Sequence, residues 1–163
     1  MLFESKRIKF RSFLKSDKND LITILNDKIV TKWAHLPYPY TKKHAEWWID
    51  TGSNKKYHFA LEEKKDKKLL GSIKLTKKGE LGCWIGRNHW NQGFATEAVE
   101  KIKEFGFNEL KLEKIWAATH KENLAPIKVL SITGFTKVED RPYYIEGIGN
   151  TKMRPHFELL NRP

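Results

Sequence analysis

Cysteine is almost absent from this chain. Cys83 is the only one in 163 residues, so no internal disulfide can form, and a reducing compartment fits. No apolar run approaches the length of a bilayer span, and the opening M-L-F-E-S-K-R lacks the apolar segment of a secretory leader. The expected location is therefore the cytoplasm, with no membrane partner. There is no Gly-x-Ser-x-Gly, Cys-x-x-Cys or His-Glu-x-x-His, and the six histidines are scattered, so nothing points to a metal site. Nor is there a linker, an internal repeat or a low-complexity segment.

A hydrophobic content of 39% with 12% aromatics is enough for a packed core, and the length suits one domain over residues 1–163. Lys and Arg exceed Asp and Glu by 31 − 20 = 11. A basic chain attracts nucleic acid, membrane surfaces or anionic small molecules. Here the lysines come in short groups such as Lys64-Lys65 and Lys77-Lys78, with few aromatics between them. That is the pattern of a solvated surface rather than a base-stacking platform. Its field would still gather a polyanion, in a salt-sensitive way.

Alternation predicts a first strand over Lys6–Phe13, and Ser16 can cap a helix to about Asn26 with Leu21, Ile24 and Leu25 inward. Residues 30–35 read as a connection carrying Trp33, and the prolines of Pro37-Tyr38-Pro39-Tyr40 exclude a helix there. Thr41 caps the next helix, with Ala45, Trp48 and Ile49 inward and Gly52 at its end. Tyr57–Glu63, Leu69–Leu75 and Glu80–Gly86 read as an antiparallel meander.

The most informative stretch follows. A strand ending at Gly86 runs through the turn Arg87-Asn88-His89-Trp90-Asn91 into a helix opening at Gln92-Gly93, whose face is Ala95, Ala98, Val99, Ile102 and Phe105. The unbonded N–H groups and dipole of a helix N-terminus favour an anion, and small residues let it approach. The N–H groups of Gly93, Phe94, Ala95 and Thr96, with Gln92 beside them, can hold a pyrophosphate; an ordinary strand–turn–helix connection would look the same. Beyond it, Lys114–Thr119 is a strand parallel to Glu80–Gly86. Asn123 caps a crossover helix with Pro126 in its first turn and Gly134 at its end. Phe135–Glu139 and Met153–Leu160 read as the last strands, with a loop containing Gly147 and Gly149 between them.

The segment W-N-Q-G-F-A-T-E-A resembles motif A of the GNAT acetyltransferases, in particular the branch that includes the ribosomal-protein-alanine N-acetyltransferases (RimJ/RimL-like). Gly93 and Ala95 fill the last two fixed positions of Gln/Arg-x-x-Gly-x-Gly/Ala, while Trp90 stands at the first. P-Y-P-Y-T at 37–41, L-L-G-S-I at 69–73 and E-N-L-A-P with G-F over 122–135 follow the family's order, so the resemblance covers nearly the whole chain.

The resemblance implies a mixed α/β GNAT fold: a largely antiparallel central sheet with two splayed parallel strands, flanked by about four helices. It implies acetyl-CoA as co-substrate and direct attack of a primary amine, from a protein N-terminus or a small molecule, on the acetyl thioester. Cys83, Trp84 and Ile85 would offer backbone groups to pantetheine, with the Trp84 N–H as oxyanion donor. Cys83 reads as a small buried apolar residue rather than a nucleophile. Asn123 would contact the coenzyme as well as cap its helix. The family's serine three residues later is Pro126 here, and its tyrosine acid seven residues later is Leu130, so neither hydroxyl is available.

Glu80 occupies roughly the place of the glutamate base used in parts of the superfamily; a solvated strand-start carboxylate is the alternative. His120 is a second base candidate, and His89 could face the coenzyme or solvent. Trp33, His35, Tyr38 and Tyr40 border the acceptor cleft in this family and could hold an amine by cation–π contacts, whereas Trp48 reads as core. This branch often forms dimers, so a homodimer is possible. Two other readings stay open: a basic RNA- or ribosome-associated module, against which the missing RNP-type aromatic strand counts, and a GNAT that binds coenzyme A without catalysis.

Overall fold

The computed structural model describes residues 3–145 and 150–162. The expected loop at Gly147 and Gly149 lies outside the described residues. Among the described residues there are ten strands: β1 (Phe3–Glu4), β2 (Ile8–Arg11), β3 (His58–Glu63), β4 (Leu69–Leu75), β5 (Leu81–Ile85), β6 (Lys114–Ala118), β7 (Thr136–Lys137), β8 (Arg141–Ile145), β9 (Asn150–Arg154) and β10 (His156–Leu160). Five α-helices join them: α1 (Lys18–Leu25), α2 (Lys28–Ala34), α3 (Lys42–Trp47), α4 (Phe94–Asn108) and α5 (Leu124–Ile132).

An antiparallel sheet in the order β1-β2-β3-β4-β5 lies beside a second in the order β6-β10-β7, with β8-β9 as a separate hairpin. The expected mixed α/β architecture and its splayed parallel pair are therefore present. Helix α4 crosses between β5 and β6 and presses Ala98, Val99, Ile102 and Phe105 into the main core. Phe105 and Phe10 flank the ring of Phe3 at centroid distances of 5.0 and 4.5 Å. Burying each such side chain contributes about 1.5–3 kcal/mol, so the motif helix is held by packing along its whole inner face.

Several elements differ from the sequence reading. The first helix starts at Lys18 rather than after a Ser16 cap: the Asp17 carboxylate accepts the Leu14 N–H at 2.7 Å and pairs with Arg11, which fixes a 3-10 turn over Lys15–Asp17. The connection around Trp33 is helix α2, capped by Asp27, whose carboxylate accepts the Ile29 N–H at 3.0 Å. Strand β8 was not expected. The run Met153–Leu160 is broken at Pro155, which cannot donate to a ladder, and the two pieces pair with different partners.

Candidate active site

Strands β5 and β6 touch at one point. Glu80 and Trp116 form an isolated parallel bridge, in which the Trp116 N–H donates to the Gly79 carbonyl at 2.9 Å. Past it, β5 stays on β4 and β6 on β10, so a gap opens toward their C-terminal ends. Strand β5 lies so tightly on β4 that a Cβ on Gly71 would stand 2.0 Å from the Trp84 carbonyl oxygen, which explains the glycine of L-L-G-S-I.

The register decides which groups face the gap. The Thr76 N–H donates to the Glu80 carbonyl and the Gly86 N–H to the Leu70 carbonyl, while Trp84 lies opposite Ser72. Alternation in an antiparallel ladder then turns Trp84 toward β4 and turns the backbone groups of Leu81, Cys83 and Ile85 outward. The Trp84 N–H, expected to face the gap, turns toward β4 instead; Cys83 and Ile85 present N–H groups to the gap. The Ile85 carbonyl is taken by the Trp90 indole N–H at 2.7 Å, a use for tryptophan at the first motif position.

Cys83 is solvent-exposed, not buried as expected, although Leu81 and Ile85 on the same face of the strand are buried. Desolvation by the surrounding protein nonetheless pushes its thiol up to about 12. A thiol that stays protonated is no nucleophile.

The gap leads to the N-terminus of α4. Gly93 is its N-cap in the left-handed region (φ 79°), with no capping side chain, and the first helical bond runs from the Glu97 N–H to the Gly93 carbonyl. The N–H groups of Phe94, Ala95 and Thr96 are left without a partner among the described residues, while the Phe94 ring is buried. The Gln92 side chain turns back and donates to the Asn88 carbonyl at 3.0 Å. A cation that sequence reasoning missed stands beside this end: Arg7 pairs with Glu97 at 2.6 Å, donates to the Gln92 carbonyl at 2.9 Å and lies 4.2 Å over the Phe94 ring. His89 packs edge-on against Phe94.

Across the gap Asn123 is the N-cap of α5, but its side chain makes no capping bond. Leu130, in the place of the family's tyrosine, is buried in the core.

At the closed end of the gap, one Glu80 oxygen, Oε1, accepts the Tyr143 hydroxyl at 2.6 Å and the Lys74 ammonium at 3.4 Å. Among the described residues its other oxygen, Oε2, has no hydrogen-bond partner. Burial, and then the bond to Glu80, push the Tyr143 hydroxyl up, so it remains a donor. Lys74 reaches Glu80 by lying across Gly82, where a Cβ would be 2.7 Å from its Cε. Tyr143 sits on the unexpected strand β8; the aromatic and β-branched run Tyr143-Tyr144-Ile145 is the sequence signal that could have found it.

A second group forms where α2 ends. His35 is the left-handed C-cap of α2, and its Nε2 meets Nε2 of His120 at 2.9 Å. The Trp33 ring lies 4.9 Å from the His120 ring. Burial, then the charge of Arg154, hold His35 below its ordinary range; the same causes, with His35 itself and Lys152, push His120 down to about 4. Tyr38 is exposed, with Lys28 5.3 Å over its ring. Tyr40 turns into the core instead: it is 4% exposed, and Asn26 bonds its backbone N–H and carbonyl at 2.9 and 2.7 Å.

Comparison with known proteins agrees with this layout. Residues 7–136 match the acetyltransferase (GNAT) domain model. The uncharacterized N-acetyltransferase p20 of Bacillus licheniformis is 45% identical over 60 residues, which are 37% of this chain and 34% of that protein, so the match spans about a third of the relative's length. A GNAT-family acetyltransferase from Bacillus anthracis has the same fold over 98% of each chain, with a TM-score of 0.83 at 20% identity. Spermidine N-acetyltransferase from Vibrio cholerae, solved with CoA and spermine, superposes over 96% of each chain with a TM-score of 0.73 at 17% identity. With the domain model matching most of its length, the chain belongs to the acetyltransferase (GNAT) family.

Proposed function

We propose that this protein transfers the acetyl group of acetyl-CoA to a primary amine, a small molecule or a protein N-terminus, by direct attack in a ternary complex. The observation that carries the reading is the gap between β5 and β6, which exposes backbone groups of Cys83 and Ile85 and runs to the uncapped N-terminus of α4. The pyrophosphate would lie on the N–H groups of Phe94, Ala95 and Thr96, close to Arg7, and Asn123 would contact the coenzyme from the far side. The pantetheine arm would bond the exposed groups of β5 as an added strand does.

In the reaction the amine nitrogen forms a bond to the thioester carbon and the C–S bond breaks. The Cys83 N–H faces the developing oxyanion in place of Trp84. Glu80 Oε2 accepts the ammonium proton, while Tyr143 and Lys74 hold the other oxygen. The thiolate leaves unaided and takes up a proton afterwards, since no tyrosine stands at Leu130. Trp33, His35 and Tyr38 line the acceptor side; Tyr40 supports them from the core.

Calorimetric titration with acetyl-CoA, followed by a panel of primary amines with detection of free thiol, tests this. Micromolar binding with amine-dependent thiol release is the expected result. The absence of both binding heat and thermal stabilisation at millimolar acetyl-CoA would refute it.

A further inference from the structure

The charge around the acceptor side is one-sided. Hairpin β8–β9 carries Tyr143 to Glu80, and Lys152 stands directly opposite Tyr143 in the register. Arg154 is two residues further along β9, on the same face. The pairing of β10 with β6 continues past His156 and Ala118: the Thr119 N–H donates to the Pro155 carbonyl at 3.0 Å, which sets Arg154 opposite His120. From the other side α2 adds Lys32, 4.5 Å over the Trp33 ring, and Lys28 over Tyr38.

Among the described residues none of Lys28, Lys32, Lys152 and Arg154 has a carboxylate within ion-pair distance, although most other arginines in the molecule do. One acid, Glu122, opposes the cations at His120. The two imidazoles, being neutral at ordinary pH, supply hydrogen-bonding groups and no negative charge. Beside them the Thr119 hydroxyl is buried without a partner.

A polyamine would meet the like charges of Lys152 and Arg154 here, with Lys28 and Lys32 along the α2 flank. An amine that also carries an anion would be drawn in, its anion on the cations and its amine left to reach Glu80. The planar guanidinium fork suits a two-oxygen group. We propose that the acceptor is a small amine bearing a carboxylate or phosphoryl group, with Arg154 as the principal anion-binding side chain and Lys152 in support.

This rests on the acetyltransferase reading, and acetyl-CoA affinity, measured separately by calorimetry, tells the failure of one from the failure of the other. The test is a matched panel at saturating acetyl-CoA: α-amino acids and dipeptides, their C-terminal amides, 2-aminoethyl phosphate, and the polyamines spermidine and putrescine. Carboxylate- or phosphoryl-bearing amines should exceed the amides and polyamines in kcat/KM by about tenfold or more, and the better of the two anion classes identifies the group bound. Arg154→Gln should raise KM for the preferred acceptor about tenfold, with kcat within a few-fold and acetyl-CoA affinity unchanged. Arg154→Lys should fall between, and Lys152→Gln should give a smaller rise should Arg154→Gln not fold. A preference for polyamines or amides, no turnover of any anionic amine, or discrimination unchanged in Arg154→Gln would each overturn the proposal.

Discussion

His35 and His120 stand 85 positions apart in the chain and share one hydrogen bond, Nε2 to Nε2, at 2.9 Å. One ring must donate its N–H and the other must keep a lone pair, so the contact cannot survive with both rings doubly protonated. Burial, the larger cause, and the nearby Arg154 charge disfavour protonation further. Side-chain NMR should show His120 neutral down to about pH 4, well below the ordinary 6.5. An ordinary titration near 6.5 would show that the pair is not formed in solution.

Gly93→Asp should abolish coenzyme binding while sparing the fold. The N-cap is left-handed, which costs a non-glycine residue about 1–2 kcal/mol, and a Cβ would meet only Arg7 Nη2 at 3.4 Å. The added carboxylate would occupy the anion site, so acetyl-CoA affinity should fall about 100-fold or more, read by calorimetry against Gly93→Ala as control.

Glu80→Gln should lower kcat by about 10²–10⁴ near neutral pH if the carboxylate takes the amine proton. The loss should shrink as pH rises toward the acceptor's own pKa, because the amine then arrives neutral. Tyr143→Phe should cost about tenfold in kcat, leaving acetyl-CoA affinity intact, since it removes one bond to the base and no contact to the coenzyme. A flat pH dependence of the Glu80→Gln defect would remove Glu80 from the proton path.

Stability depends on a cluster far from the gap. Arg11 forks onto Asp17 at 2.8 and 2.9 Å and reaches Glu62 at 2.6 Å, with all three side chains nearly enclosed. Asp17→Ala leaves that guanidinium short of a partner and strips the Leu14 N–H of its acceptor. Urea unfolding should show a loss of about 3–5 kcal/mol.

His58 should make the fold acid-sensitive. Burial, with Lys74 and Lys55 nearby, pushes its imidazole down to about 4 from the ordinary 6.5. Between those values the unfolded chain binds a proton that the folded one refuses. Stability is therefore intact above about pH 6.5 and falls as pH drops toward 4, by roughly 3 kcal/mol for this residue. Melting temperatures from pH 7.5 to 4.5 should fall less steeply in His58→Gln than in the parent.

The strand–turn–helix at 80–108 was legible because its signals are local: alternation, a glycine at a tight turn and a 3.6-residue apolar period. The parallel direction of the 114–119 strand followed from a crossover helix between two strands, whereas the gap was implied only by the family resemblance. What stayed hidden depends on distant contacts. Arg7 reaches Gln92 only because β2 and α4 pack together, and Tyr143 reaches Glu80 only because β8 folds back. Helix α2 is short and crowded with lysine and β-branched residues, so no period marked it. Cys83 was read as buried, but strand alternation puts it on the same face as the buried Leu81 and Ile85 and so could not reveal its exposure. Trp84 was one residue out of phase, because ladder parity depends on which carbonyls β4 offers.

The gap between β5 and β6 also affects how long the molecule lasts. Two half-sheets joined by one bridge among the described residues resist opening less than a continuous sheet would, and a coenzyme arm bound as proposed would act as the missing crosspiece. By mass action, ligand at 100 times its Kd adds about 2.7 kcal/mol to folding. The folded lifetime of this enzyme would then track acetyl-CoA supply, with the protein kept longest when its donor is abundant.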